Sequence, residues 1–263
     1  MTKKIGIIGA GNIGGAIARG FLNHGSVSAS DISLSRKKKD QLSEFASMGF
    51  SISDNETLVK NSDVIILAVL PGQAENVIGS LTGLLDPKRH ILVSIISAVS
   101  LQELKSWSKD LIPVVRIMAN TAVEYGASMT CIAGENEAAV KAIGELFDPL
   151  GETMVIGEQL MPAATILAAC GIAYFLRFIR AFSQGGIQIG FHAEEASHIA
   201  AQTALGAAQL LMKTHNHPES EIDRVTTPMG CTISGLNEME HFGMSSAMIK
   251  GIVKSYEGIS ELK

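Results

Sequence analysis

The chain has 263 residues, 46% of them hydrophobic, and a formal net charge of −5. That is apolar material for one large domain or two medium ones, and the mixed, slightly acidic charge argues against nucleic acid, whose phosphates need a basic surface. The three cysteines, Cys131, Cys170 and Cys231, lie far apart without a CxxC pair, which excludes a disulfide framework and a cysteine zinc site and suits a reducing, cytoplasmic setting.

Lys3 and Lys4 precede an apolar run too short for a signal peptide. Ile5-Gly6-Ile7-Ile8 reads as a buried strand and Ala16 to Asn23 as the helix after it, ending near Gly25. Asp31 to Ser35 is a short second strand, Lys38 to Met48 is helical, and Glu56 to Asn61 is a short helix. Val64 to Val69 is a continuous apolar run, the pattern of a strand covered on both faces, and Pro71 breaks it. Ile91 to Ile96 repeats the pattern, Val114 to Met118 follows a further short helix, and Thr153 to Ile156 comes last. This alternation implies a mostly parallel sheet with helices on both faces.

After Gly157 no run reads as a strand. Helices are expected at about 160–184, 193–213 and 232–241, then from Ser245 to the end. The stretch Leu160 to Leu176 is apolar on all sides, and we read it as a helix buried between other helices rather than a membrane span. The expected organisation is α/β: a Rossmann-type doubly wound sheet over residues 1–158, then an all-α domain over 159–263.

Between the first strand and its helix stands Gly9-Ala10-Gly11-Asn12-Ile13-Gly14. In that context a GxGxxG motif marks a dinucleotide site. Gly9 permits the turn, Gly11 lets the backbone approach a pyrophosphate, and Gly14 allows close helix–strand packing, while the helix start offers free N–H groups. An acid at the end of the second strand would select NAD. Asp31 stands instead at its start, and the end carries Ser35 and Arg36, a hydroxyl and a guanidinium suited to a 2′-phosphate. NADP is therefore expected, with NAD as the alternative, and Lys38 and Lys39 read as a solvated charge run.

Two further stretches carry chemistry. Met118-Ala119-Asn120-Thr121 lies just past a strand. Asp223 to Thr232 contains Thr227-Pro228, Gly230 and Thr232 at a helix start. Hydroxyls and free N–H groups there suit a small carboxylate, but the residues alone leave an ordinary N-cap equally open. His215-Asn216-His217 has no third ligand in view and reads as a polar loop, and no metal is expected. Glu194 and Glu195 suit a helix start.

In order along the chain stand "IGIIGAGNIGGAIARGF", "SDVIILAVLP", "VVRIMANTA", "GIAYFLRFIRA", "AAQTALGAAQLL" and "DRVTTPMGCTISGL". With these pieces the chain resembles the pyrroline-5-carboxylate reductase family over essentially its full length. The resemblance implies reduction of the ring imine of 1-pyrroline-5-carboxylate to L-proline with NAD(P)H. It places the cofactor on Gly9 to Gly14, Ser35, Arg36, Asn55, Ala68, Val69, Leu70, Pro71 and Ser97. It places the substrate on Thr227, Gly230, Cys231 and Asn120, with the Thr232 hydroxyl on the imine nitrogen. It also implies a homodimer through the all-α domain, or a ring of dimers, with no membrane or nucleic-acid partner.

The chain departs from the family pattern at Leu70, where a lysine is usual, and at Ala119 and Ala122, where prolines are. It departs also at Cys170 and Arg180, and at Met229, where a glycine is usual. These changes leave two alternatives, a reductase of a different cyclic imine and a non-catalytic NADP-binding protein. A hydroxy-acid dehydrogenase is disfavoured, because residues 160–184 contain Arg177 and Arg180 but no lysine.

Overall fold

The computed structural model describes residues 3–259, and of Lys39 the backbone alone. By their contacts these residues form two units, 3–170 with 255–259, and 171–254.

The first unit is built on one eight-stranded sheet. Its strands are β1 (Ile5–Ile8), β2 (Ile32–Ser35), β3 (Ser51–Ile52), β4 (Val64–Leu67), β5 (Ile91–Ser94), β6 (Val114–Met118), β7 (Ser128–Gly134) and β8 (Gly151–Val155). They lie in the order β3-β2-β1-β4-β5-β6-β7-β8. All pairs are parallel except β6 with β7. Strand order reverses between β1 and β4, the switch point at which doubly wound sheets bind ligands.

The aliphatic runs become central strands because both sheet faces need apolar cover. In β4, Val64 and Ile66 join one buried cluster with Ile5, Ile7, Ile17, Phe21 and Phe147. Ile65 and Leu67 join the opposite one with Ile8, Leu58, Ile78 and Leu104. This is the two-residue alternation of a pleated strand. Helices α1 (Asn12–Asn23), α2 (Ser43–Ser47), α3 (Asn55–Asn61), α4 (Ala74–Leu81), α5 (Leu101–Trp107), α6 (Glu137–Phe147) and α7 (Met161–Ala164) complete the layer structure.

Several boundaries differ from the sequence reading. Helix α1 starts at Asn12, because packing of Gly14 and Gly15 in the interior overrides their weak helix propensity. The expected 38–48 helix is a 3-10 turn, Lys39–Leu42, followed by α2. β4 and β5 end at Leu67 and Ser94, and the apolar residues after them leave the sheet to line a cleft. Elements β3, β7, α4 and α6 have no counterpart in that reading.

Polar contacts pin the strand starts. Asp63 accepts the Lys4 N–H at 2.8 Å and Arg89 Nε at 2.7 Å, while Arg89 Nη1 donates to the Lys60 carbonyl at 2.8 Å. Burial would raise the Asp63 pKa, but these donors and the Arg89 charge outweigh it and hold the carboxyl below its ordinary value. Past β8, Glu158 Oε1 accepts the buried Arg116 Nη1 at 2.6 Å and the Leu101 N–H at 2.9 Å. One carboxylate thus neutralises a cation from mid-sheet and satisfies the first turn of α5.

A helical stretch from Glu158 to Gln188, containing a π-helical turn at Thr165–Cys170, is long and apolar enough to cross a membrane by length and composition alone. The second unit contains its later part, α8 (Gly171–Gln188), with α9 (Ala193–Thr214), α10 (Pro218–Val225), α11 (Cys231–His241) and most of α12 (Met244–Gly258). Residues 260–263 of the expected last helix lie outside the described residues. Small residues join α8 to α9: Ser183 Oγ and Ser197 Oγ share a hydrogen bond at 3.0 Å, and Gly186 faces Ala196. Of the apolar stretch expected to be buried, Met161, Ala164, Ile166 and Ala168 are covered by the described residues, whereas Leu167, Phe175 and Leu176 are exposed, as is Phe182 beyond it. The helical unit has no sheet or further layer of its own to cover that face.

His90, just before β5, is 3% exposed and accepts the Asp86 N–H on Nδ1 at 3.0 Å. Burial, then the neighbouring Arg89 charge, lowers its pKa from 6.5. The unfolded chain therefore takes up a proton that the folded chain refuses. Stability should be full above about pH 7 and fall as pH drops through 6.5 and below. Urea unfolding at about pH 7.5 and about pH 5.5 should show this loss, and His90→Asn, which keeps an acceptor without the charge, should shrink it.

Candidate functional site

At the switch point the backbone is held from both sides. The Gly9 and Ala10 N–H groups both donate to the Ser35 carbonyl at 3.0 Å, and the Gly11 N–H donates to Gly9 O at 2.7 Å. Gly9 has φ +100°, and a Cβ there would lie 2.5 Å from the Ala68 carbonyl oxygen. A Cβ at Gly14 would lie 2.5 Å from Gly9 O, whereas one at Gly11 would meet nothing closer than 4.0 Å. Gly9 and Gly14 thus serve packing, and the space above Gly11 stays open. Helix α1 has no side-chain cap, so its first-turn N–H groups and the positive end of its dipole are available to an anion.

Above this turn lies an open cleft of about 1690 Å³. It brings together Gly9, Gly11, Asn12, Ile13, Ser35, Arg36, Asn55, Ala68, Val69, Leu70, Pro71 and Ser97. Ala10 and Gly14 are buried beneath it and shape the turn. Ser35 is 3% exposed and donates its hydroxyl to Asn55 Oδ1 at 2.6 Å, linking the end of β2 to the start of α3. Arg36 Nη1 reaches the Ala10 carbonyl at 3.3 Å, which orients the guanidinium along the wall of the cleft.

Lys38, expected to be only solvated, is exposed but also lines the cleft, as do Lys37 and Lys60. The side chain of Lys39 lies outside the described residues. The basic run was visible in the sequence, but its direction depends on the turn that follows β2. The residues present fit a phosphorylated dinucleotide: an uncapped helix start for the pyrophosphate and a cationic wall for a further phosphate.

Asn120 is not part of the cleft lining. Its Oδ1 accepts the Ala122 N–H at 2.9 Å and its Nδ2 donates to the Ala168 carbonyl at 2.9 Å, so the amide ties a turn to the π-helical segment. The neighbouring Thr121 lines the cleft instead.

Thr227, Gly230, Cys231 and Thr232 lie together in the second unit. The Gly230 N–H donates to Thr227 O at 2.9 Å, closing a turn over Pro228 and Met229. Gly230 then stands at the start of α11, which has no side-chain cap. Thr227, Cys231 and Thr232 are exposed. Two hydroxyls beside free N–H groups form a surface suited to a small carboxylate. Burial pushes the Cys131 and Cys170 thiols up, which makes them poor nucleophiles. Among the described residues no three His, Cys, Asp or Glu side chains form a metal cluster.

The glycine turn at a switch point, the uncapped helix and the cationic wall define a dinucleotide-binding protein of the oxidoreductase type. Residues 4–98 match the family described as NADP oxidoreductase coenzyme F420-dependent, and residues 158–262 match pyrroline-5-carboxylate reductase dimerisation. Pyrroline-5-carboxylate reductase 2 of Dictyostelium discoideum is 41% identical over 99% of this chain and 93% of its own length. Pyrroline-5-carboxylate reductase 1 of the same organism is 40% identical over 98% of this chain, which spans 49% of that relative. The crystal structure of Plasmodium falciparum pyrroline carboxylate reductase with NADP bound superposes with a TM-score of 0.89 at 23% identity, covering 99% of this chain and 98% of that one. The chain belongs to the pyrroline-5-carboxylate reductase family.

If Arg36 meets a 2′-phosphate, its contribution is specific to the phosphorylated cofactor. A charge-assisted contact contributes about 1.5–3 kcal/mol, or roughly ten- to a hundredfold in affinity. Fluorescence titration of Arg36→Ala should show that loss for NADPH and almost none for NADH. Equal losses for both would remove Arg36 from the phosphate site.

Proposed function

We propose that the protein reduces 1-pyrroline-5-carboxylate to L-proline with NADPH, as a cytoplasmic homodimer on which a ring of dimers can be built. Its partners on this reading are a small imino acid and a second copy of the chain, not a membrane or nucleic acid. The observation that carries it is the 41% identity along 99% of the chain to a relative bearing that name. The cleft over Gly11 supports it with a dinucleotide cradle, and the uncapped start of α11 supports it with an anion surface.

Bound in the cleft over Gly11, NADPH would supply the hydride for the electron-poor carbon of the ring C=N bond. The chain's own residues hold and polarise. The uncapped first turn of α1, from Asn12 onward, would hold the pyrophosphate on its free N–H groups above the Gly9–Gly11 turn, and Arg36 with Lys37 and Lys38 would take the 2′-phosphate. Thr227, Gly230, Cys231 and the N–H groups at the α11 start hold the substrate carboxylate. The Thr232 hydroxyl donates a hydrogen bond to the imine nitrogen. A threonine hydroxyl is too weak an acid to give up a proton readily, so its role is polarisation and positioning, and water or an already protonated imine completes the proton balance.

NADPH oxidation followed by absorbance, with and without 1-pyrroline-5-carboxylate, tests the activity. Oxidation that does not depend on the imine would overturn it. Thr232→Ala should lower turnover by about ten- to a thousandfold with little change in NADPH binding. Thr232→Ser should be far milder, and equal behaviour of the two variants would remove the hydroxyl from the chemistry.

The exposed apolar faces of α8, α9 and α12 support the dimer, since Phe175, Leu176, Phe182, Leu205, Leu210, Ile249 and Val253 lie open within one chain. An obligate interface of roughly 2,000 Å² or more would cover them. Sedimentation at low micromolar concentration should give a dimer or a multiple of it, and a stable folded monomer would sink the idea.

A further inference from the structure

We infer that Met229 is a specificity-determining residue for ring size, an apolar wall against the methylene edge of the cyclic substrate. The inference rests on the reading of residues 227–232 as the substrate loop. The turn that presents Met229 is of type II: Thr227 O accepts the Gly230 N–H at 2.9 Å, Pro228 occupies the second position, and Met229 occupies the third with φ +61°. That third position favours glycine, because a Cβ in the left-handed region crowds the backbone. A long side chain is kept there against the preference of the turn.

Nothing in the folded unit compensates for the strain. Met229 is 102% exposed, the highest value among the large apolar residues described. An unbranched thioether chain in a strained turn, touching nothing of its own unit, gains contact only from something that arrives.

The chemistry of the loop says what that is. Between residues 226 and 232, Met229 has the only long apolar side chain. The Thr227 and Thr232 hydroxyls and the N–H groups of α11 match the carboxylate and nitrogen of a cyclic imino acid. They offer nothing to its saturated CH2 groups. Met229, flexible and polarisable, is suited to that edge, and as a wall it limits how many methylenes fit.

The experiment compares kcat/KM for 1-pyrroline-5-carboxylate and for the imino acid with one more ring methylene, in wild type, Met229→Gly and Met229→Leu, with NADPH affinity measured for each. A wall that senses one methylene discriminates by roughly tenfold or more. Met229→Gly should therefore lower the preference for the five-membered ring by about tenfold while NADPH affinity stays constant. Because glycine relieves the turn, that variant should melt no lower than wild type. Met229→Leu, which keeps the bulk, should hold the wild-type ratio within about threefold. An unchanged ratio in Met229→Gly, or an equal shift in Met229→Leu, overturns the inference while leaving the proposed activity intact. A wild-type protein that reduces neither imine overturns the proposed activity and this inference with it, and that result is read before any variant is made.

Discussion

The organisation of the first unit depends on one close approach, that of the Gly9 backbone to the Ala68 carbonyl. A Cβ at Gly9 would come within 2.5 Å of that oxygen. The turn can therefore form only where β1 and β4 run side by side and the first residue of the turn lacks a side chain. Two N–H groups of the same turn are held by the Ser35 carbonyl at the end of β2. Three strand ends thus fix one short loop, and α1 begins where they leave it. The cleft, its free N–H groups and the cationic wall at Arg36 all follow from that placement.

The two units solve the problem of apolar surface differently. In the first, alternate residues of β1 and β4 feed two buried clusters on opposite faces of the sheet. In the second, the buried positions of α8 and α9 are Gly171, Ser183, Ala196 and Ala200, all small. Small residues let two helices approach closely but bury little apolar area. Several large side chains of the same helices, Phe175, Leu176, Leu205 and Leu210 among them, are exposed. The sheet buries its apolar side chains from within, whereas the helical unit of a single chain leaves them exposed.

The sequence was most legible where burial is symmetrical. The run Val114 to Met118 coincides with β6 because all five positions are buried. β7 was illegible because Ser128-Met129-Thr130-Cys131-Ile132-Ala133-Gly134 mixes small, polar and apolar residues and gains its strand character from pairing with β6 and β8. Gly14 and Gly15 hid the first turn of α1, since local propensity argues against a helix that tertiary packing imposes. Among cleft residues, the glycine turn, Ser35 and Arg36 were readable from motif and position, and Asn55 only through the family resemblance. The bonds of Asn120 were not, because its partner Ala168 lies 48 residues away and the amide gives no local sign of its direction. The apolar pattern of α8 marked a face that this chain leaves exposed at Phe175, Leu176 and Phe182, because a pattern of side chains does not tell where their cover comes from.

The separation of these tasks has a genetic consequence. The cofactor cleft is built from residues of the first unit, whereas the uncovered helical face belongs to the second. A lesion in the glycine turn leaves the helical face intact. On the proposed homodimer, a chain so damaged would still pair with normal copies, and where both are made in equal amounts the mixed dimers would outnumber the purely normal ones. Loss of cofactor binding would then act as a dominant trait wherever the activity of one copy in the proposed dimer depends on its neighbour. Lesions that destroy the helical face would remove the damaged chain from the pool and behave as recessive.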